Sequence, residues 1–321
     1  MATTHRDDEH DTPRASRRMH PRPHLVTKDA VSFMAILADI LRLQEESLST
    51  AYIYMHKYRK FIRDSKSTPD FLDPHTLALT SLSLSTKATE SPRRLRALLT
   101  PAHTLLHPHQ PPIPVPSHHY DTLRSTLVTA ELHLLRILKF ELRVPLPHNH
   151  IPKILDLSLS SIPGEDYYDI SSEKAEEDKI VRVMETYLGR QCGGLATRCL
   201  AEYSIANFYD ARTVACGVVR VVLEENGVLI TTTTKSSRDI NMNNGNNGGG
   251  EDDGDDEGEG EARWVEMVSG GNVDLEDYRD VVREVREVYG GGSSGVQVSE
   301  IITKTTTTTT TAVAAAVEGE G

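Results

Sequence analysis

The stretch "LALTSLSLSTKATESPRRLRALL" (77–99) decides how the chain folds. Leu77, Leu79, Leu82 and Leu84 alternate locally, which taken alone suggests a strand. Upstream, Asp73-Pro74 supplies an acidic N-cap followed by proline at the first helical position, and this favours a helix. The segment is long and rich in Leu, Ala and small hydroxyl residues, so it is read as a central helix approached closely from several sides. Ser91-Pro92 then reads as the N-cap and first residue of a fourth helix over "SPRRLRALLTPAHTLLH" (91–107).

Working outward, "KDAVSFMAILADILRL" places Val31, Met34, Leu37, Ile40 and Leu41 at helical spacing. A second helix, "STAYIYMHKYRKFI", follows a break near Gln44–Ser49. "HPHQPPIPVPSHH" (107–119) is too broken by proline to be helix or central strand, and a fifth helix runs over 120–140. "VPLPH" (144–148) ends it. Beyond that, "NHIPKILDLSLSSI", "EKAEEDKIVRVMETYLGR", "LATRCLAEYSIANFY", "ARTVACGVVRVVLEENG", "RWVEMV" and "LEDYRDVVREVREVY" read as a second helical block. The expected architecture is all-α, with two blocks of about five helices over 25–144 and 145–290. A polar N-terminal tail (1–24), a low-complexity insert (231–261) and a Thr/Gly/Ala-rich tail (291–321) lack the apolar content to pack and are expected to be disordered.

Composition narrows the function. The 321 residues carry a net charge of −12, but eight of the acidic residues lie in "EDDGDDEGEGE" (251–261), so most of that charge is local. No basic excess marks a nucleic-acid surface, and direct nucleic-acid binding is not expected. No run approaches the roughly 18 apolar residues of a membrane span. The three cysteines, Cys192, Cys199 and Cys216, form no C-x-x-C pair and read as core residues in a reducing compartment. "RASRR" (14–18) matches a short nuclear-import signal or a solvated tail. The histidines His103, His107, His109, His118 and His119 sit among prolines that fix no ligand face, so no metal site is expected. No phosphate-binding glycine loop, G-x-S-x-G elbow or H-E-x-x-H occurs, so neither a cofactor nor a catalytic residue is expected.

One residue is out of place. On a helical wheel, Leu123, Leu127, Ala130, Leu134 and Leu138 form one stripe of the fifth helix, widened by Val128 and Leu135. Glu131 falls inside that arc, where an unpaired carboxylate costs about several kcal/mol. Either Glu131 pairs within the fold, or it lies on an apolar face that meets another protein. Lys87, at the end of the central helix, suits it as a partner under both readings.

These segments resemble a known family. "LALTSLSLSTKATESPRRLRALL" followed by "AELHLLRILKFELRVPLPH" (130–148) is similar to the cyclin box, a likeness spanning roughly 25–160. "AEYSIANFYDARTVACGVVRVVLEENG" and "RWVEMV" resemble the second cyclin fold more distantly. Within the family, "ESPRRLRALL" and "LLRILKFELRVPLPH" are similar to the transcription-type group that includes cyclins Q, L, K and T. The resemblance implies two tandem cyclin folds and a non-catalytic, nuclear regulatory subunit. That subunit would form a heterodimer with a cyclin-dependent serine/threonine kinase and act in RNA polymerase II transcription. It places Lys87, Glu131 and Glu90 at the kinase interface. Thr89 stands where the family pattern Lys-x-Glu-Glu has its first acid. The competing expectations are a TFIIB-like scaffold of the transcription machinery, a cell-cycle cyclin and, from another class, a helical enzyme. The missing cysteine pairs weigh against the first, and the missing acid–base constellation against the last.

Overall fold

The computed structural model describes residues 25–65, 72–160, 181–228 and 256–291. The expected tails at 1–24 and 291–321, the latter save Gly291, most of the insert and the start of "EKAEEDKIVRVMETYLGR" lie outside these residues. The described residues are all-α, without a strand. In chain order the first block holds α1 (Leu25–Ile40), α2 (Glu45–Asp64), α3 (Pro74–Ala88), α4 (Leu95–Leu106) and α5 (His118–Ile137). A 3-10 turn (Pro147–Asn149) leads to the second block: α6 (Ile151–Ser160), α7 (Tyr187–Ala201), α8 (Tyr203–Phe208), α9 (Ala211–Glu225), α10 (Asp256–Ser269) and α11 (Leu275–Gly291). α10 thus begins inside the stretch read as a low-complexity insert.

α3 is the central helix of the first block. The Asp73 carboxylate accepts the backbone N–H of His75 at 3.0 Å and of Thr76 at 3.1 Å, with Pro74 at the first helical position. Its serines and threonines from Thr80 to Thr86 are buried, together with Leu82 and Leu84. Their small side chains let α1, α2, α4 and α5 pack around it. Several of the hydroxyls bond back to the helix itself, as Thr80 does to the Thr76 carbonyl at 2.6 Å. Met34, Leu37, Tyr54, Met55, Leu82 and Leu134 form the centre of this core.

Several helices end in the same way. The residue after the C-cap turns left-handed, and the next N–H bonds back to the carbonyl five residues earlier. α1 closes so at Arg42 (φ 50°), with Leu43 N–H on the Ala38 carbonyl at 3.0 Å. α5 does the same at Lys139, and α9 at Gly227. The tight closure of α1 lets α2 start at once at Glu45, so the expected break over Gln44–Ser49 shrinks to a few residues. α3 closes at Glu90 (φ 56°), with Ser91 N–H on the Thr86 carbonyl at 2.9 Å. Ser91 therefore belongs to the end of α3. It is not the N-cap of α4, which begins at Leu95 after Arg94.

In the second block, Thr186 interrupts the segment read as one helix. Its side chain accepts the Gly189 N–H at 3.0 Å and starts α7. Glycine is required there, since a Cβ at 189 would stand 2.2 Å from the Val183 carbonyl oxygen. Glu202 makes a second break, between α7 and α8. Gly217 lets α9 approach α11, a Cβ at that position lying 2.6 Å from Val281. Trp264 and Tyr278 are fully buried in this core, alongside Cys192, Cys199 and Cys216. All three thiols are free, and burial pushes each up to about 12.

α2 joins the two blocks. On one side it packs on α3, and on the other on α7 and α8. Leu200 of α7 is part of the first block's core. Polar contacts fix the seam: Ser49 Oγ donates to Thr197 Oγ1 at 3.1 Å, and His56 Nε2 meets the Ala201 carbonyl at 3.1 Å. His148 Nε2 lies 3.1 Å from Thr197 Oγ1 and 3.2 Å from the Gly193 carbonyl. The linking segment also anchors on α2, whose Tyr54 hydroxyl donates to the Leu142 carbonyl at 2.5 Å.

Candidate functional site

Lys87 and Glu131 meet. The Lys87 ammonium, in the last turn of α3, donates to Glu131 Oε1 at 2.8 Å and to Oε2 at 2.7 Å. Ser83, one turn earlier on α3, donates its hydroxyl to Glu131 Oε1. The carboxylate is thus held by two side chains of one helix, which sets α5 against α3. The pair is asymmetric. The Lys87 side chain is 44% exposed and that of Glu131 only 11%. Of the three donors on an ammonium, two go to Glu131, which leaves one facing the open side.

Apolar side chains flank Glu131 along α5. On α5, Leu127, Ala130 and Leu134 are buried as the wheel requires, but Val128 is 49% exposed and Leu132 44% exposed. Val128 does not widen the core stripe. With Leu132 one turn on, it forms a second stripe turned by roughly 120° from the first. Glu131 lies between the two stripes. Sequence reasoning missed Leu132, and the i, i+4 spacing of Val128 and Leu132 was the available signal. Val128 and Leu132 thus leave two aliphatic side chains exposed on α5 beside the half-open ion pair.

Glu90 stands apart from the pair. It is exposed, occupies the left-handed position that closes α3, and among the described residues forms no ion pair. Thr89 faces the other way. Its hydroxyl donates to the Ser85 carbonyl at 2.9 Å and lies 2.6 Å from Ser47 Oγ on α2. Ser91 Oγ lies 3.3 Å from both hydroxyls. A carboxylate at 89 has no proton to give Ser85, so the threonine builds a neutral anchor to α2 where the family pattern has a charge.

Other expected features are placed as follows. His103, His107 and His119 gather at the α4–α5 junction, with ring centroids 4.8 and 5.6 Å apart. Burial, then the charges of His107 and His119, lower the pKa of His103. Among the described residues no group of three or more His, Cys, Asp or Glu is placed to hold a metal ion. No described helix is long and apolar enough to cross a membrane.

No family profile matches the chain. Cyclin-T1 of Homo sapiens and of Mus musculus are each 28% identical to it over 134 residues, 42% of this chain and 18% of the relative. Cyclin-T2 of Mus musculus is 26% identical over 134 residues. The chain therefore spans less than a fifth of the length of these relatives, 18% in each case. Among solved structures, the crystal structure of the yeast RNA Pol II CTD kinase CTDK-1 complex is matched at 13% identity and a TM-score of 0.46, over 84% of this chain and 76% of that one.

Proposed function

We propose that this chain, which resembles the transcription-type cyclins, is a regulatory subunit that binds and activates a cyclin-dependent serine/threonine kinase in RNA polymerase II transcription. The observation that carries the proposal is the half-open Lys87–Glu131 pair bordered by exposed Val128 and Leu132. The transcription assignment, and with it nuclear residence, rests on the similarity to cyclin-T1 and cyclin-T2.

The mechanism is positional. Phosphoryl transfer needs the kinase's own Lys–Glu pair and metal-binding loop aligned before the phosphoryl group moves. A helical partner that binds the aligned conformation more tightly shifts the kinase population toward it. Shifting an equilibrium from 1:99 to 99:1 takes about 5.5 kcal/mol of differential binding. Buried aliphatic area at Val128 and Leu132 supplies part of this, and the free donor of Lys87 fixes the register. In this mechanism the chain contributes no catalytic group, and Glu90, exposed where α3 closes, meets the kinase separately from the Lys87–Glu131 pair.

The test is to purify the chain from cells that produce it and identify the kinase that accompanies it. The measurement is then repeated with Val128→Asp and with Lys87→Ala/Glu131→Ala. The wild-type chain is expected to bring down a protein kinase and raise its serine/threonine activity, and both variants are expected to lose that activity while remaining helical. A wild-type chain without any kinase sinks the proposal. A folded double variant that still activates sinks the residue assignment alone.

A further inference from the structure

A cavity of about 350 Å³ opens in the second block, between the start of α6, the start of α9 and the end of α10. Its polar wall carries two cations, Lys153 from the first turn of α6 and Arg212 from the first turn of α9, beside the neutral side chains of Asn149 and Asn272 and the His150 imidazole that precedes α6. No carboxylate lines it, in a chain whose net charge is −12. The nearby acids stand outside the lining: Asp210 caps α9, accepting the Arg212 backbone N–H at 3.0 Å, and Asp156 follows Lys153 by three residues on α6. The opposite wall is apolar and includes Leu157 and Met267, the latter 41% exposed.

Two further observations point to an anion. Ser269 lines the cavity and is 4% exposed, yet its hydroxyl has no hydrogen-bond partner. Its carbonyl holds Arg212 Nη1 at 3.1 Å, which pins the guanidinium at the cavity edge and leaves its other donors for a ligand. His150 has its pKa lowered, first by burial and then by the charge of Arg212, with Asp210 opposing. The positive charge of the cavity wall therefore rests on Lys153 and Arg212, with His150 held neutral.

We propose that this cavity binds the phosphorylated side chain of a serine or threonine in a partner peptide. Lys153 and Arg212 take the phosphate oxygens. The face of Leu157 and Met267 receives an apolar side chain beside the phosphorylated residue. A phosphate carries close to two charges and three strong acceptors, which suits a paired Lys and Arg better than a single carboxylate does. The site lies in the second block, away from the Lys87–Glu131 face, and stands whether or not that face binds a kinase.

The test uses the full chain and fluorescence anisotropy. The probes are a labelled peptide library with one fixed phosphoserine between degenerate apolar-rich positions, and the same library with serine. The phosphoserine library is expected to bind at least about tenfold more tightly. Lys153→Glu, an exposed substitution that spares the core, is expected to remove that preference, and Arg212→Lys to weaken it. Lys87→Ala/Glu131→Ala should leave it unchanged, which separates this site from the proposed kinase face. Equal binding of both libraries overturns the proposal, as does an unaltered preference in Lys153→Glu. Inorganic phosphate that displaces the peptide at the peptide's own concentration also overturns it, because the cavity then reads only a free anion.

Discussion

Glu131 and Lys87 contribute unequally to their pair. Removing the lysine strands the carboxylate of a side chain only 11% exposed, with only Ser83 left to hold it. Removing the carboxylate frees a lysine that already reaches water. Lys87→Ala is therefore expected to cost about 1–3 kcal/mol, and Glu131→Gln about 1 kcal/mol. Urea unfolding of the two variants and of the double variant measures the difference and the coupling. Thr89 gives a second residue-scale case. Its hydroxyl serves both the end of α3 and α2, so Thr89→Ala should lose about 1 kcal/mol while Thr89→Ser keeps most of it. The pairing of Lys87 with Glu131 was legible in the sequence because a charge in an apolar arc demands a nearby opposite charge. The inward turn of Thr89 was not, because it depends on where Ser47 of another helix arrives.

Helix ends were harder to read than helix bodies. Asp73-Pro74 was legible because its cap closes within three residues of sequence. Ser91-Pro92 looked equally good, yet Ser91 is consumed in closing α3, and no local pattern shows that a hydroxyl is already engaged. The break at Thr186 rests on a local cap to the Gly189 N–H inside a segment whose apolar spacing runs on through it, and the break at Glu202 has no side-chain cap to announce it. Glu90 offers a direct test of the closure. A non-glycine residue at φ 56° bears a cost that glycine does not. Glu90→Gly is expected to stabilise the protein by about 0.5–1 kcal/mol, read as a rise in the urea midpoint. If Glu90 borders the kinase surface only through its charge, the same variant lowers kinase affinity modestly while it raises stability.

Across the whole molecule the two blocks share a polar seam, and that seam is sensitive to acid. His56 and His148 are both buried there, and burial lowers them to about 3 and about 4. Free histidine titrates near 6.5. Between those limits the unfolded chain takes up protons that the folded chain refuses, so stability is complete above about pH 6.5 and falls as the pH drops. Each histidine contributes a slope of up to about 1.4 kcal/mol per pH unit in that window. Urea midpoints at pH 7.5 and 5.5 should differ accordingly, with a smaller difference in His148→Gln. The two-block, all-α plan was legible from periodicity and from the proline-rich joint. The seam was not, because Leu200 enters the first core across a long separation in sequence. The placement of the thiols has a practical consequence. Cys192, Cys199 and Cys216 are the only cysteines, all are buried in the second block, and none lies in the first. A maleimide added to the native protein can react only when that block opens. The labelling rate is thus a ready-made clock for the opening of one half of the molecule, readable by mass alone and without any engineered probe.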